Sequence, residues 1–571
     1  MKRLFAEHKI RSVTDLSGAW KFRTDPDGVG EEQGWFRSLP EGETVIVPSV
    51  WNNELGLLNY EGLGWYEKKF DTKGGTLRLE FGSVMTVADV WLDGEKLGTH
   101  YGAFTQFEFI VPHVDAGEHT LTVRADSRID AHSFPQRYTD WFNYGGIARE
   151  VFADHLEGIC ILRNRIVYTL NEARTEATLH AELALYNGDG EARTAPLTVT
   201  VGEHTVYTGT VTLDGHSETT FITPDVTLAD VALWSTETPN LYDVVAATDT
   251  DDLRDRIGFR HVEVKDGNIL LNGKSVEFRG VNRHEEHPDW GFAFPAKLMK
   301  KDIDLMVDLG CNAVRGSHYP QEQIFVDMLD ERGLMFWCEI PMWGIGFSEE
   351  ALADPIIVER GLNMHREMTR YYYNHPSIVI WGMHNEIRTY AAEVSLAVTR
   401  KYNEHLRQDG GNRLITHASA FPMGDTSMEY DDIICINMYK GWYHGSPNDW
   451  DIFVKEFDED RKKRGLGDKP MIMSEFGAAA LAGFHSHFDT VRWSEEFQSD
   501  LISHCLELFH RTDYMRGFFI WQFCNIRTSP SMDINRVRYF NNKGIVDEYR
   551  NPKAAYFKVR ELYHRFADEE K

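Results

Sequence analysis

At 571 residues the chain is too long for one hydrophobic core and calls for roughly two to four domains. Its 60 Lys and Arg against 89 Asp and Glu leave a formal charge of −29, which excludes a nucleic-acid partner, since phosphate binding needs clustered positive charge. An anionic small ligand is repelled at long range and must be held by a local cation. The opening MKRLFAEHKIRSVTDLSG lacks the apolar core of a secretion signal, and no apolar run approaches the ~20 residues that span a bilayer. Cysteines 160, 311, 338, 435, 505 and 524 show neither CxxC nor zinc spacing; 311, 338, 435 and 524, in or beside apolar runs, read as buried thiols. A cytoplasmic protein with no membrane partner is expected.

In chain order, short alternating runs come first: TLRLEFGSV (76–84), VADVWLDGEKLG (87–98) and EHTLTVRADS (118–127), with turns at 93–94 and 116–117. They read as an antiparallel β-sandwich over 1–160. A second β block over 161–262 includes EATLHAELALYN (176–187), APLTVTVGEHTVYTGTVTL (195–213) and SETTFITP (217–224), with the strand spacing of an immunoglobulin-like sandwich. From 263 to 571 strands and helices alternate. The strand candidates are VEFRGVN (276–282), NAVRGSH (312–318), LMFWCEI (334–340), SIVIWGMHNE (377–386), LITHAS (414–419), IICINMY (433–439), PMIMSEFG (470–477) and RGFFIWQF (516–523). Helical stretches such as 295–310 and 321–333 fill the intervals. Eight buried strands with seven crossovers predict a (β/α)8 barrel. A doubly wound sheet is the alternative, unsupported by any GxGxxG or Walker loop.

Functional residues of such barrels gather at the C-terminal strand ends. Those ends read Asn282–Arg283–His284, Ser317–His318–Tyr319, Glu339, Asn385–Glu386, Asn437–Met438–Tyr439, Ser474–Glu475 and Trp521–Gln522, more polar than packing requires. A carboxylate at the exit of a buried strand is costly unless it is paired or does chemistry. One such Glu reads as a salt-bridge or cap residue; Glu386 and Glu475, at the fourth and seventh strands, read as a catalytic pair. Glycoside hydrolysis uses two carboxyls flanking an acetal carbon, about 5–5.5 Å apart for retention and wider for inversion. The histidines placed near the mouth (284, 287, 318 and 375) lack HExxH or comparable ligand spacing, so no metal and no cofactor is expected.

DWFNYGGIARE (140–150), GVNRHEEHPDWG (280–291), RGSHYP (315–320), WGMHNE (381–386), INMYKGWYHG (436–445) and SEFGAAALAGFHS (474–486) together resemble glycoside hydrolase family 2, and within it the β-glucuronidases. The resemblance implies an N-terminal jelly-roll β-sandwich, an immunoglobulin-like sandwich and a catalytic TIM barrel. It implies retaining hydrolysis with Glu386 as acid/base and Glu475 as nucleophile. Asn385 would meet the sugar 2-hydroxyl, with Asn437, His318, Tyr439 and Tyr443 around the ring, Trp521 beneath it, and Asp140 reaching in from the first domain. A homo-oligomer, commonly a tetramer, is also implied.

FNNKGI (540–545) is similar to the glucuronidase Asn-x-Lys-Gly motif, with Asn541 and Lys543 as donors for a hexuronate carboxylate. In isolation it is merely a good turn. The family often carries an Arg four residues before the motif Asn; Val537 stands there, leaving Arg536 and Arg538 as candidates. Ile387 replaces the commoner Pro or Ser. The stretch 341–361 is short beside relatives with an aglycone-covering loop, which implies an open mouth for bulky or oligosaccharide aglycones. The substrate expected is a β-glucuronide. The alternatives are a β-galacturonidase or dual hexuronidase, differing at the C4 hydroxyl, and then a β-galactosidase or β-mannosidase.

Overall fold

The computed structural model describes residues 2–344, 346–389, 393–529 and 536–570. The first body is a jelly-roll-type sandwich whose eight-stranded sheet is built on two long antiparallel strands, Leu63–Phe81 and Phe107–Asp126. Strand alternation explains its core: Leu77, Leu79 and Phe81 point to one face and are fully buried with Trp20, Trp51 and Val123. The second body pairs two four-stranded antiparallel sheets over a core of Leu179, Leu183, Leu197, Val199 and Val244, the immunoglobulin-like arrangement.

The third is a closed parallel barrel. Its strands are β1 (Phe278–Arg283), β2 (Ala313–Gly316), β3 (Met335–Glu339), β4 (Ile378–Asn385), β5 (Leu414–Ser419), β6 (Ile434–Asn437), β7 (Met471–Phe476) and β8 (Met515–Ile520). Nearly every residue in them is buried, as expected of strands covered on both faces. The helix after β1 (Ala296–Leu309) buries Met299, Ile303, Met306 and Leu309 on one stripe and stops at Gly310, whose φ of 89° is left-handed. Two crossovers depart from the one-helix expectation. The β3–β4 connection holds two helices, Glu349–Ala353 and Pro355–Tyr372. Between β5 and β6 there is only a 3₁₀ turn, Thr426–Glu429, because that interval has room for little more.

The first domain does not merely sit beside the barrel. Phe134, Trp141, Phe142 and Tyr144 belong to the same apolar cluster as barrel residues Val281, Val314 and Phe336. Trp141 packs within 5.6 Å (ring centroids) of His284, His318 and Trp343. The neighbouring Asp140 is thereby carried into the barrel mouth.

Candidate active site

Arg315 organises the floor of the mouth. It arises in the middle of β2 with no exposed side-chain surface, so its charge must be paired. Its guanidinium grips both oxygens of Glu339 from β3 (3.1 and 3.0 Å) and donates to Glu475 Oε1 at 2.9 Å, Asn385 Oδ1 at 2.7 Å and Asn282 Oδ1 at 3.2 Å. Trp337 lies against it at 4.5 Å. Strands β1 to β4 and β7 are thus tied to one planar cation.

Glu475, at the end of β7, accepts a second hydrogen bond on Oε2 from Tyr439 at 2.6 Å. Burial raises its pKa to about 7 against the opposing pull of Arg315 and Tyr439. Glu386, just beyond β4, is raised further, to about 8, by burial and then by the Glu475 charge. Asn437 links the two strand ends. Its Nδ2 donates to Asn385 Oδ1 (3.0 Å) and Glu386 Oε1 (2.8 Å), while its Oδ1 accepts from Ser474 Oγ at 2.7 Å. With both acceptor contacts of Asn385 used on Oδ1, its Nδ2 has no partner among the described residues.

Trp521, 3 % exposed, stacks on His318 at 5.1 Å between ring centroids. Burial and Arg315 hold His318 well below the usual imidazole range, so Nδ1–H donates to Glu339 Oε1 at 2.7 Å.

The far wall is built by Asp140 and residues 536–543. Arg536 forks onto Asp140 with two 2.6 Å bonds, and Asn541 Nδ2 donates to the same carboxylate at 2.7 Å. Lys543, 1 % exposed, donates from Nζ to Tyr443 Oη at 2.6 Å, and Arg536 reaches the same hydroxyl at 3.2 Å. Burial, then Arg536, holds Lys543 well below the usual ammonium range. Arg536 is neutralised by Asp140, whereas the Nζ of Lys543 is bonded to a neutral hydroxyl. Arg538 faces elsewhere: with a left-handed φ of 62° it pairs with Glu548 at 2.9 Å, its side chain 54 % exposed.

Of the residues singled out from sequence, the mouth therefore gathers Asp140, His318, Asn385, Glu386, Asn437, Tyr439, Tyr443, Glu475, Trp521, Arg536, Asn541 and Lys543. Arg538 is turned away. His375 is not at the mouth either: it precedes β4, at the opposite end, against Asp330 at 2.5 Å. Sequence reasoning misses Arg315, though an Arg inside an otherwise apolar strand is itself a signal that buried carboxylates await it. Asp327, Asp330 and His375 have the proximity of a cation site, but Asp327 is filled by Arg3 at 2.8 to 3.1 Å and by Leu4 N–H.

Two buried carboxyls facing one mouth at the strand ends of a barrel are the equipment of glycosidic-bond cleavage, and the fold and mouth define a glycoside hydrolase. The barrel profile of the family described as "Glycosyl hydrolases family 2, TIM barrel domain" matches residues 262–568, its sugar binding domain 13–156 and its remaining domain 161–260. The chain belongs to glycosyl hydrolase family 2. It is similar to the crystal structure of a β-galacturonidase from Eisenbergiella tayi bound to galacturonate, with a TM-score of 0.91 and 32 % identity over 99 % of both chains. It is also 27 % identical to a β-glucuronidase of Paenibacillus borealis, over 95 % of this chain and 96 % of that one. A β-glucuronidase of Homo sapiens is 28 % identical over 99 % of this chain and 92 % of its own.

Proposed function

We propose that the protein is a retaining β-glucuronidase, cleaving β-D-glucuronides by double displacement. The observation that carries the hexuronide reading is Lys543, a buried amine whose Nζ has no carboxylate partner among the described residues of the mouth that holds Glu386 and Glu475. A hexuronate carboxylate answers both its missing counter-charge and its depressed pKa.

Glu475 attacks the anomeric carbon while Glu386 protonates the leaving oxygen; Glu386 then takes a proton from water, which releases the sugar from Glu475. Arg315 and Tyr439 favour the ionised nucleophile against the effect of burial. The unpartnered Asn385 Nδ2 suits a donor to the 2-hydroxyl, and Trp521 offers its face to the sugar ring. Asp140, fixed by Arg536 and Asn541, retains acceptor capacity for a ring hydroxyl. No helix among the described residues is long and apolar enough to cross a membrane. A cytoplasmic setting suits the six buried unpaired cysteines, and the proposal includes the homo-oligomer implied by resemblance.

A β-galacturonidase is the second reading, favoured by the 32 % identity to an enzyme solved with galacturonate. The two sugars differ only at C4. Side-by-side kcat/KM on 4-nitrophenyl β-glucuronide, β-galacturonide and β-galactoside tests both: preference for the first supports the proposal, for the second the alternative, and for the third overturns the hexuronide reading.

The free enzyme is active with Glu475 charged and Glu386 protonated. kcat/KM is expected to rise as Glu475 ionises at about 7 and fall as Glu386 deprotonates at about 8, the pair titrating together. A pH series of initial rates checks this; a flat profile across the range contradicts it.

A further inference from the structure

Glu386 does not sit in ordinary strand backbone. Its φ is 53°, a left-handed conformation uncommon for a side chain of this size and stable only where the surroundings impose it. Two anchors do so. On one side, the Glu386 N–H donates to Ala418 O on β5 at 2.8 Å. On the other, Thr389, 1 % exposed, closes a tight turn after β4, with its N–H on Ile387 O at 2.7 Å.

Thr389 Oγ1 donates to Asp425 Oδ2 at 2.5 Å. That oxygen also receives His417 Nε2 at 2.8 Å, while Asp425 Oδ1 accepts from the Ser427 N–H at 2.9 Å and from Ser427 Oγ at 2.5 Å. The other ring nitrogen of His417 meets Asp431 Oδ2 at 2.9 Å. His417, Asp425 and Asp431 are all buried. Although burial opposes it, the two carboxylates raise His417 to about 10, so the ring donates from both nitrogens as a fixed imidazolium. His417 directly precedes Ala418, so β5 supplies the first anchor itself and braces the second through Asp425. The mechanism above uses none of these groups.

We propose that Thr389, held by the Asp425–His417–Asp431 cluster, is a positioning residue for the acid/base. The hydroxyl pins the turn that follows β4, and with it the left-handed backbone that aims the Glu386 carboxyl at the leaving oxygen. The inference rests on the acid/base reading of Glu386.

The test exploits what a general acid does and a structural residue does not. Proton donation matters when the leaving phenol is strongly basic and hardly at all when it is a dinitrophenol. Thr389→Val removes the hydroxyl and keeps the shape; Thr389→Ser keeps the hydroxyl. kcat/KM is measured for both and for wild type on phenyl and 2,4-dinitrophenyl β-glucuronides, because it reports the first, acid-assisted step. The expectation for Thr389→Val is a loss of about tenfold or more on the phenyl glycoside, part of the 10²–10⁴ that general acid catalysis supplies. On the dinitrophenyl glycoside the expected loss is under about threefold, and Thr389→Ser should recover most of the phenyl activity. Equal losses on both substrates, or no loss on either, overturn the proposal. If wild type cleaves no hexuronide, the substrate reading fails separately, and the same leaving-group comparison is made on whichever aryl hexoside it does cleave.

Discussion

Glu475→Gln is expected to lower kcat on aryl glucuronides by about 10⁴-fold or more, the scale on which loss of a catalytic nucleophile acts. The amide keeps the size of the carboxyl: its one oxygen can accept from Arg315 Nη1, 2.9 Å from the native Oε1, while its NH2 can donate to Tyr439 Oη, 2.6 Å from the native Oε2. It cannot form the glycosyl ester. Arg315 would lose one of two carboxylate partners but keep both oxygens of Glu339, so the floor of the mouth should survive. Rates together with a thermal melt check this: a normal melt with activity gone supports the nucleophile role, and retained activity ends it.

Lys543→Ala is expected to cut kcat/KM on hexuronides by roughly 10²- to 4 × 10³-fold. A hexuronate seated there without its ammonium is a buried unpaired charge, costing about 3–5 kcal/mol, and every 1.4 kcal/mol is about tenfold. Neutral aryl hexosides carry no such charge and should be unaffected. The fold should not suffer, because burial and Arg536 disfavour the ammonium where it stands; a melt no lower than wild type is expected. Parallel assays on glucuronide and galactoside give the ratio that decides. A uniform loss on both classes would assign Lys543 to architecture rather than to carboxylate recognition.

The barrel was readable because its strands are covered on both faces and so appear as continuous apolar runs, SIVIWGM among them. The β5–β6 crossover was not, since a 3₁₀ turn of four residues leaves no helical periodicity to find. Glu386 and Glu475 stood out as acids ending apolar strands. What lay beyond sequence reasoning were the partnerships across the fold. Asp140 and Arg536 are 396 residues apart, and nothing local says that one neutralises the other and leaves Lys543 on a neutral hydroxyl. Arg536 and Arg538 flank Val537 symmetrically in the sequence; only the left-handed backbone at Arg538 and its pairing with Glu548 separate them. The Thr389–Asp425–His417 chain was hidden for a similar reason. A His in LITHAS and an Asp in a Gly-Asp turn are unremarkable until β5 and the β4 exit loop are brought together.

The most direct test is covalent trapping with 2-deoxy-2-fluoro-β-D-glucuronyl fluoride. The fluorine at C2 slows both steps, while the fluoride leaving group lets the first proceed, so the glycosyl-enzyme accumulates. Peptide mapping by mass spectrometry should find one fluoroglucuronyl group per chain, on Glu475, with far weaker labelling by the corresponding neutral fluorogalactosyl fluoride. An adduct on another residue, or equal labelling by the neutral sugar, would contradict the account.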